Sequence, residues 1–274
     1  MDAILEDFSI ASLLPAMEAN IQEAWIRLGR RLGAEIHDEA QLLWFFSGRP
    51  FHLANVVVRA RFPHDNIKET FEEKLKQLTA PRVPLAWLVG PSTYPTDLGN
   101  YLQERGWIRE DAPGMAIDLQ SLSMQPSLPP HLTVERVHDR ETLKTWLRVM
   151  TVGSGIPDTV LSLLMDVVAQ RDFKAVADVH CYLGKLDDEP VATSLLFLGG
   201  GVAGIYNVAT LPQARRQGIG SALTVVPLLE ARKQGYRIGI LQSTPMGLNL
   251  YRRLGFREYC LFSAHLWSPP KRLF

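Results

Sequence analysis

Residues 208–223 read VATLPQARRQGIGSAL, and this run contains the strongest structural signal in the chain. Its first residues are typical of a strand, Pro212 lies in the loop that follows, and Gly218 and Gly220 open an amphipathic helix. Amides at the start of a helix lack intrahelical partners, and the helix dipole favours negative charge there. The two glycines leave room for a ligand beside the backbone, and an arginine pair adds positive charge. The run therefore predicts an anion cradle over residues 216–221, with a solvated loop before a tightly packed helix as the alternative.

The segments on either side of this run alternate between strand and helix patterns. Short turns separate the three strands before the cradle, and such turns are typical of an antiparallel meander. The predicted elements are a strand at 132–137, helices at 139–150 and 157–170, strands at 181–186, 191–198 and 202–209, a helix at 218–234, a strand at 237–242, a helix at 248–254 and a strand at 258–267.

A second motif follows the cradle by about thirty residues, where residues 250–259 read LYRRLGFREY. Tyr251 lies on a short predicted helix that Gly255 ends, and taken alone it is compatible with a core aromatic. Together the two motifs resemble the GNAT superfamily of acyltransferases. In that family Arg/Gln-x-x-Gly-x-Gly/Ala binds the CoA pyrophosphate, and Leu-Tyr-x-x-x-Gly-Phe closes the fold. The resemblance covers residues 132–267 and implies an α/β fold with a mixed sheet.

The resemblance also implies roles for individual residues. The backbone of Val208 and Ala209 would bond the pantetheine amides of acetyl-CoA, much as an added strand does. Tyr251 would be the general acid that protonates the departing thiolate. The transfer would be direct, without a cysteine nucleophile or a metal. The residues placed around the pyrophosphate are Arg215, Arg216, Gln217, Gly218, Gly220 and Ser221.

The chain departs from the family pattern in two places. Family members often have an asparagine seven residues before the tyrosine, where this chain has Thr244, and Asn249 has a different spacing. Many members carry a glutamate on the fourth strand as general base, but residues 201–210, GVAGIYNVAT, contain no carboxylate. An ammonium substrate must lose a proton before it attacks, so some base or water path is required. The candidates are Glu258, His265 and Ser243, and the base stays unidentified.

Residues 199–204, GGGVAG, have the spacing of a dinucleotide-binding GxGxxG motif. That motif requires a helix directly after the glycines, because the pyrophosphate binds at the helix N-terminus. The residues that follow, IYNVAT, are typical of a strand instead. The sequence therefore predicts a hairpin turn here and no NAD site.

The first half of the chain is predicted to be a degenerate copy of the same fold. Residues 85–119 run as strand, helix, Arg-Gly-Trp and strand, an order that is repeated near the C-terminus. The segment equivalent to the cradle, RFPHDNIK at 61–68, has no glycine, so we expect no CoA binding there. The Pro- and Ser-rich segment SLSMQPSLPPH at 121–131 predicts a linker between a domain at 1–120 and a catalytic domain at 132–274.

The role expected for the first half is structural, as a wall of the acceptor pocket. Four of its residues flank the central strands and could reach a substrate: Trp44, Phe45, Arg49 and Asn55. The stronger interpretation is that the aromatic residues belong to the core and that Arg49 lies in a Ser-Gly-Arg-Pro turn.

The composition excludes several classes of protein. The 29 Lys and Arg residues balance the 29 Asp and Glu residues, so no net field attracts nucleic acid or an anionic membrane. Cys181 and Cys260 lie in no Cys/His cluster, which argues against a zinc site and against a disulfide framework. The acidic start MDAILEDF is unlike a signal peptide, and no apolar run approaches about 18 residues. We therefore expect a soluble, cytoplasmic protein.

These observations lead us to expect an acyl-CoA-dependent N-acetyltransferase. It would move an acetyl group directly from acetyl-CoA to a primary amine of a small molecule, such as an antibiotic or another metabolite. Two alternatives stay open: a CoA-binding sensor or scaffold without catalysis, and an acyltransferase for protein lysines or longer acyl chains. The sequence does not distinguish a monomer from a homodimer.

Overall fold

The computed structural model describes residues 3–62, 67–124, 128–170 and 180–270. Within these ranges the helices are α1 Ile10–Arg31, α2 Ile67–Thr79, α3 Leu98–Glu104, α4 Arg140–Ser154, α5 Asp158–Gln170, α6 Ile219–Lys233 and α7 Leu248–Leu254. The strands are β1 Glu35–Asp38, β2 Leu42–Phe46, β3 Asn55–Ala60, β4 Leu85–Val89, β5 Ile108–Asp118, β6 Leu132–Arg136, β7 His180–Leu186, β8 Glu189–Gly199, β9 Val202–Thr210, β10 Ile238–Gln242 and β11 Arg257–Trp267.

The chain packs into two compact units whose segments alternate along the sequence. Met1–Asn20 and Met115–Tyr259 form the first, called here the motif unit because it contains residues 208–223. Ile21–Gly114 and Cys260–Phe274 form the second, the companion unit. The division into domains at 1–120 and 132–274 stays a prediction, and the packing shows that each unit includes one end of the chain. Residues 125–127 of the predicted linker lie outside the described residues.

The motif unit is built on a mixed sheet with the strand order β5-β10-β9-β8-β7-β6. Strands β6 to β9 are antiparallel neighbours, as the short turns predict. Strand β10 is parallel to β9, and the connection between them is helix α6. The sheet therefore confirms the predicted α/β class.

Helix α6 packs on the sheet of the motif unit through fully buried leucines. A Cβ added to Gly184 of β7 would lie 2.7 Å from Leu223 Cδ2, and one added to Gly239 of β10 would lie 2.9 Å from Leu228 Cδ2. Both leucines are 0% exposed. The glycines in the strands therefore bring the helix close to the sheet, and this sets the position of the loop before α6.

The residues Gly199–Gly201 close the β8–β9 hairpin, and the prediction of a hairpin turn is confirmed. Gly200 and Gly201 have φ of 57° and 75°, the combination that a two-residue hairpin turn of the primed type requires. The Leu5 amide donates to the Gly201 carbonyl at 3.0 Å. Asn20 Nδ2 donates to the Gly199 carbonyl at 2.8 Å and to the Val202 carbonyl at 3.2 Å. The turn therefore fastens the N-terminal segment to the motif unit.

The companion unit repeats part of this topology. Its strand order is β1-β2-β3-β4-β11, and β3 and β4 are parallel strands joined by α2. The arrangement β3-α2-β4 in this unit corresponds to β9-α6-β10 in the motif unit. The predicted duplicate of the cradle loop, 61–68, includes residues 63–66, which lie outside the described residues.

Three of the four first-half residues proposed to reach a substrate, Trp44, Phe45 and Asn55, have structural partners. Trp44 is 4% and Phe45 is 0% exposed, so both belong to the core. The Asn55 Oδ1 accepts from the amides of Ser47 and Gly48 at 3.1 and 3.0 Å. The Asn55 Nδ2 donates to carbonyl oxygens that include that of Arg49 at 2.9 Å. These contacts support the interpretation of core aromatics and a turn that Asn55 holds together.

We expect the companion unit to lose stability as the pH falls from about 6.5 to 4. His265 of β11 is fully buried, and this burial lowers the pKa of its imidazole from 6.5 to about 4. The neutral His265 imidazole therefore contributes its full stability above pH 6.5. That contribution is lost as the pH falls through 4, because the imidazole is protonated at a higher pH in the unfolded chain than in the folded one. Urea unfolding of wild type and His265→Gln at pH 7 and 4.5, followed by tryptophan fluorescence, measures the difference.

Tryptophan fluorescence is suited to this measurement because five of the six tryptophans belong to the companion unit and one, Trp146, to the motif unit. The shift in urea midpoint between the two pH values should be smaller in His265→Gln than in the wild type. Equal shifts in both proteins would contradict the assignment to His265.

Among the described residues, no helix is long and apolar enough to cross a membrane.

Candidate functional site

The centre of the site is a bulge in β9, directly before the loop that carries the glycine motif. Thr193 of β8 is paired with Ala209, and Leu195 with Tyr206, so that Ser194 lies opposite both Asn207 and Val208. Asn207 has φ of 50°, in the left-handed region that asparagine tolerates better than most residues. A bulge of this kind bends the strand and redirects its backbone groups.

Side chains hydrogen-bond two carbonyl groups at the bulge. The Thr193 Oγ1 donates to the Asn207 carbonyl at 3.0 Å, and the Trp146 Nε1 of α4 donates to the Ser194 carbonyl at 3.1 Å. Trp146 and Ser194 are buried, so water does not reach the second of these hydrogen bonds, whereas Asn207 is exposed. The sequence did not predict this arrangement. A threonine and a tryptophan distant in sequence give no local signal of a shared bulge.

Strand β9 continues beyond its pairing with β10. The parallel ladder joins Ala203 to Gly239 and Gly204 to Ile240, and within these described strands it ends there. The backbone of Val208 and Ala209 therefore has no strand partner on the β10 side among the described residues. An unpaired edge of this type can bind an extended ligand through main-chain hydrogen bonds.

The loop from β9 leads to the N-terminus of α6, where the structure brings the predicted cradle residues together. Gly218 is the N-cap residue with φ of 79°, and Arg216 has φ of 65°. Both residues are exposed, and no side chain caps the helix at Gly218. The first hydrogen bond within the helix is donated by the Ala222 amide to the Gly218 carbonyl at 3.2 Å. The amides of residues 219–221 therefore have no intrahelical acceptor and are available to an anion.

The two glycines of the motif have different surroundings. A Cβ added to Gly218 would have only Pro129 Cγ within 4 Å, at 3.5 Å, so the space beside it is open. Its positive φ is the second reason for glycine at this position. A Cβ added to Gly220 would lie 3.1 Å from Leu250 Cδ1. Gly220 therefore also permits close packing between α6 and α7, which the sequence-based argument for ligand access did not include.

The two neighbouring arginines have different environments. The Arg215 Nε donates to the Thr210 carbonyl, and its Nη2 donates to the Gly153 carbonyl, both at 3.0 Å. The Arg216 side chain is on the exposed side of the loop. Its positive charge is therefore the more exposed of the two beside the cradle, since Arg215 is half-buried.

Tyr251 is buried on α7, with 8% of its surface exposed. Its ring packs edge-on against Phe256 with 5.8 Å between the centroids. A Cβ added to Gly247 would lie 2.8 Å from Tyr251 Cε2, so glycine at 247 makes room for the ring. Burial raises the pKa of Tyr251 to about 12, and the phenol therefore keeps its proton at neutral pH.

The three candidates for a general base occupy different places. Glu258 accepts from the Arg252 Nε at 2.8 Å in an exposed ion pair. Ser243 is fully buried and donates its hydroxyl proton to the Thr244 carbonyl at 2.8 Å. His265 belongs to the companion unit, and its Nε2 lies 3.2 Å from Ser263 Oγ. The identity of the base stays a prediction.

Comparison with family models identifies the segment that contains this site. Residues 177–258 match the model of the acetyltransferase (GNAT) domain. The matched segment includes the bulged strand, the cradle and Tyr251. Over residues 177–258 the chain therefore matches a GNAT acetyltransferase domain, as the resemblance of the two motifs implies.

Comparison with solved structures gives similarities that extend along nearly the whole chain. A GCN5-related N-acetyltransferase from Kribbella flavida has 19% identity and a TM-score of 0.65, with 93% of this chain and 98% of that chain covered. One from Sphaerobacter thermophilus has 16% identity and a TM-score of 0.61, with coverages of 96% and 92%. A tandem GNAT protein from the clavulanic acid biosynthesis pathway has 12% identity and a TM-score of 0.59, with 98% of both chains covered.

At these identities the similarity shows the fold, and the predicted fold of two tandem GNAT-like domains is confirmed. A sequence comparison with curated proteins found no match.

Proposed function

We propose that the motif unit transfers an acetyl group directly from acetyl-CoA to a primary amine of a small molecule. The observation that carries this proposal is the open N-terminus of α6, next to the unpaired edge of β9. The N-terminus of α6 offers main-chain donors to a pyrophosphate, and the edge of β9 offers main-chain groups to an extended amide chain. CoA contains both of these parts.

The described residues fit acetyl-CoA in two respects. The open space beside Gly218 and the uncapped amides that follow it suit a pyrophosphate, and Arg216, Gln217 and Ser221 surround the same helix N-terminus. The backbone at Val208 and Ala209 suits the pantetheine amides, because it has no strand partner toward β10. We assign acetyl-CoA to this site on those grounds.

The bound thioester supplies an activated acetyl group, and the amine nitrogen forms the new bond to its carbonyl carbon as the thiolate leaves. The amides near Val208 would stabilise the negative charge that develops on the carbonyl oxygen. Tyr251 would donate a hydrogen bond to the departing sulfur. Its pKa of about 12 exceeds the ordinary thiol value of about 8.5, so full proton transfer requires that the same burial raise the pKa of the thiol.

The proposed acceptor is a small molecule because the chain has no run of charges that would dock on a charged protein tail. A neutral amine is the reactive form, since an ammonium nitrogen has no lone pair. The base or water path that removes the proton from the ammonium form is not assigned to a residue.

The test is a calorimetric titration of acetyl-CoA, and separately of NAD, into the full chain. We expect micromolar binding of acetyl-CoA and no binding of NAD. A panel of primary amines would then be screened for amine-dependent release of free CoA thiol. No binding of acetyl-CoA would refute the proposal. Binding without turnover on any amine would favour the alternative of a CoA-binding sensor or scaffold without catalysis.

A further inference from the structure

Arg215 is the residue whose contacts differ most from the role that the glycine motif implies for it. Its guanidinium donates through Nε to the Thr210 carbonyl at the end of β9 and through Nη2 to the Gly153 carbonyl, both at 3.0 Å. Gly153 lies in the last turn of α4. One side chain therefore joins the strand before the cradle to the end of a helix that is not part of the motif.

The end of α4 is packed closely against β9 at this point. A Cβ added to Gly153 would lie 3.0 Å from Ala209 Cβ and 3.2 Å from the Thr210 amide nitrogen. Gly155, with φ of 68°, ends the helix, and its amide donates to the Thr151 and Val152 carbonyls. Arg215 supplies a donor for the next carbonyl, that of Gly153. A cation at a helix C-terminus is also favoured by the helix dipole.

Helix α4 has a second attachment to the same part of the sheet. Trp146, two turns before Gly153, donates its Nε1 to the Ser194 carbonyl opposite the bulge. Trp146 is 3% exposed, so water does not compete for this hydrogen bond. The tryptophan holds the middle of α4 at the bulge, and Arg215 holds its C-terminal end at Thr210.

We propose that Arg215 is a positioning residue that couples occupancy of the cradle to the position of the α4 C-terminus, and that its guanidinium is not a phosphate ligand. The proposed coupling rests on the proposed function. The loop that carries Arg215 also carries Arg216 and Gly218, so an anion that orders this loop also holds the guanidinium on Gly153. The Gly153 backbone then stays against Ala209, where the pantetheine is expected. The charge offered to the phosphates is that of Arg216.

Hydrogen exchange of the Gly155 and Ile156 amides measures the position of the α4 end, because both donate to the Thr151 carbonyl. Exchange would be followed in wild type, Arg215→Lys, Arg215→Gln and the control Arg148→Lys, without ligand and with saturating CoA. Arg148 is exposed on the same helix, so its replacement makes the same chemical change away from the contact. Lysine keeps the charge of Arg215 but lacks the planar fork that reaches two carbonyls.

Without ligand, we expect exchange at the two amides to be about tenfold faster in both Arg215 variants than in wild type, from the loss of one charge-assisted hydrogen bond. Arg148→Lys should match the wild type. Saturating CoA should slow the exchange in wild type and in the control, but not in the Arg215 variants. The affinity of the Arg215 variants for CoA should stay within about threefold of wild type.

If the Gly155 and Ile156 amides of Arg215→Lys exchange at the wild-type rate, the proposal is overturned. A single positive charge without the planar fork would then be enough to hold the end of α4. A large loss of CoA affinity in Arg215→Lys, with normal exchange, would overturn it in favour of a phosphate ligand. If wild type binds no CoA, the proposed function and the coupling both fail. The ligand-free comparison would in that case still decide whether Arg215 positions α4.

Discussion

Replacement of Gly218 by aspartate should weaken the binding of acetyl-CoA by about a hundredfold, whereas asparagine at the same position should preserve most of it. Both side chains tolerate the left-handed backbone that Gly218 adopts, at φ of 79°, better than other residues do. Both have nearly the same size, and the space beside Gly218 is open. The two variants therefore differ mainly by one negative charge at the N-terminus of α6.

The magnitude follows from electrostatics near a protein surface. Two unit charges about 5 Å apart have an interaction energy of about 3 kcal/mol at an effective dielectric constant of about 20. A repulsion of this size corresponds to a loss of affinity of about a hundredfold. Calorimetric titration of acetyl-CoA into wild type, Gly218→Asp and Gly218→Asn measures this difference. The melting temperatures of the two variants should agree closely, since neither side chain is buried.

The comparison of aspartate with asparagine separates charge from strain. Equal losses of affinity in both variants would mean that the substitutions act by changing the backbone conformation, and not by repelling a bound anion. Unchanged affinity in both variants would place the pyrophosphate away from the start of α6 and contradict the cradle.

Replacement of Tyr251 by phenylalanine should lower turnover by at least about tenfold, in the range expected for the loss of a general acid, while the dissociation constant of acetyl-CoA stays unchanged. The ring packs against Phe256 and Gly247, and phenylalanine preserves both contacts. The measurement is the steady-state rate of thiol release with an amine found in the screen, together with calorimetry. Unchanged turnover would remove Tyr251 from the mechanism.

The raised pKa of Tyr251 adds a dependence on pH. Because burial raises this pKa to about 12, the acid form persists above pH 10, and loss of the acid should not limit turnover below about pH 11. The same burial contributes stability that is complete below pH 10, the ordinary tyrosine value, and is lost as the pH rises through 12. Tyr251→Phe should therefore lose less stability than the wild type between these pH values.

Local sequence patterns predicted the order of elements in the motif unit well. Periodicity, turn residues and glycine caps are short-range signals. The predicted helix at 218–234 agrees with α6 at Ile219–Lys233, and the predicted strand at 202–209 agrees with β9 at Val202–Thr210. The cradle could be predicted because all its parts lie within one loop and one helix N-terminus.

The features that the sequence did not predict depend on contacts between distant segments. The bulge requires Thr193 and Trp146, which no local pattern connects. The association of residues 1–20 with the motif unit depends on hydrogen bonds of Asn20 to β8 and β9, and the sequence shows only an amphipathic helix there. The contacts of Arg215 are likewise set by the end of α4, sixty residues earlier in the chain.

The exchange of chain ends between the two units has a consequence for synthesis on the ribosome. The companion unit needs β11, whose Ser263–Trp267 segment pairs with β4, and these residues emerge only after Met115–Tyr259 of the motif unit. The motif unit needs Asn20, which emerges early, and then the whole of Met115–Tyr259. Since domains are usually released and folded one after another from the N-terminus, this chain is an exception. The β4 edge therefore stays unpaired until β11 has left the exit tunnel.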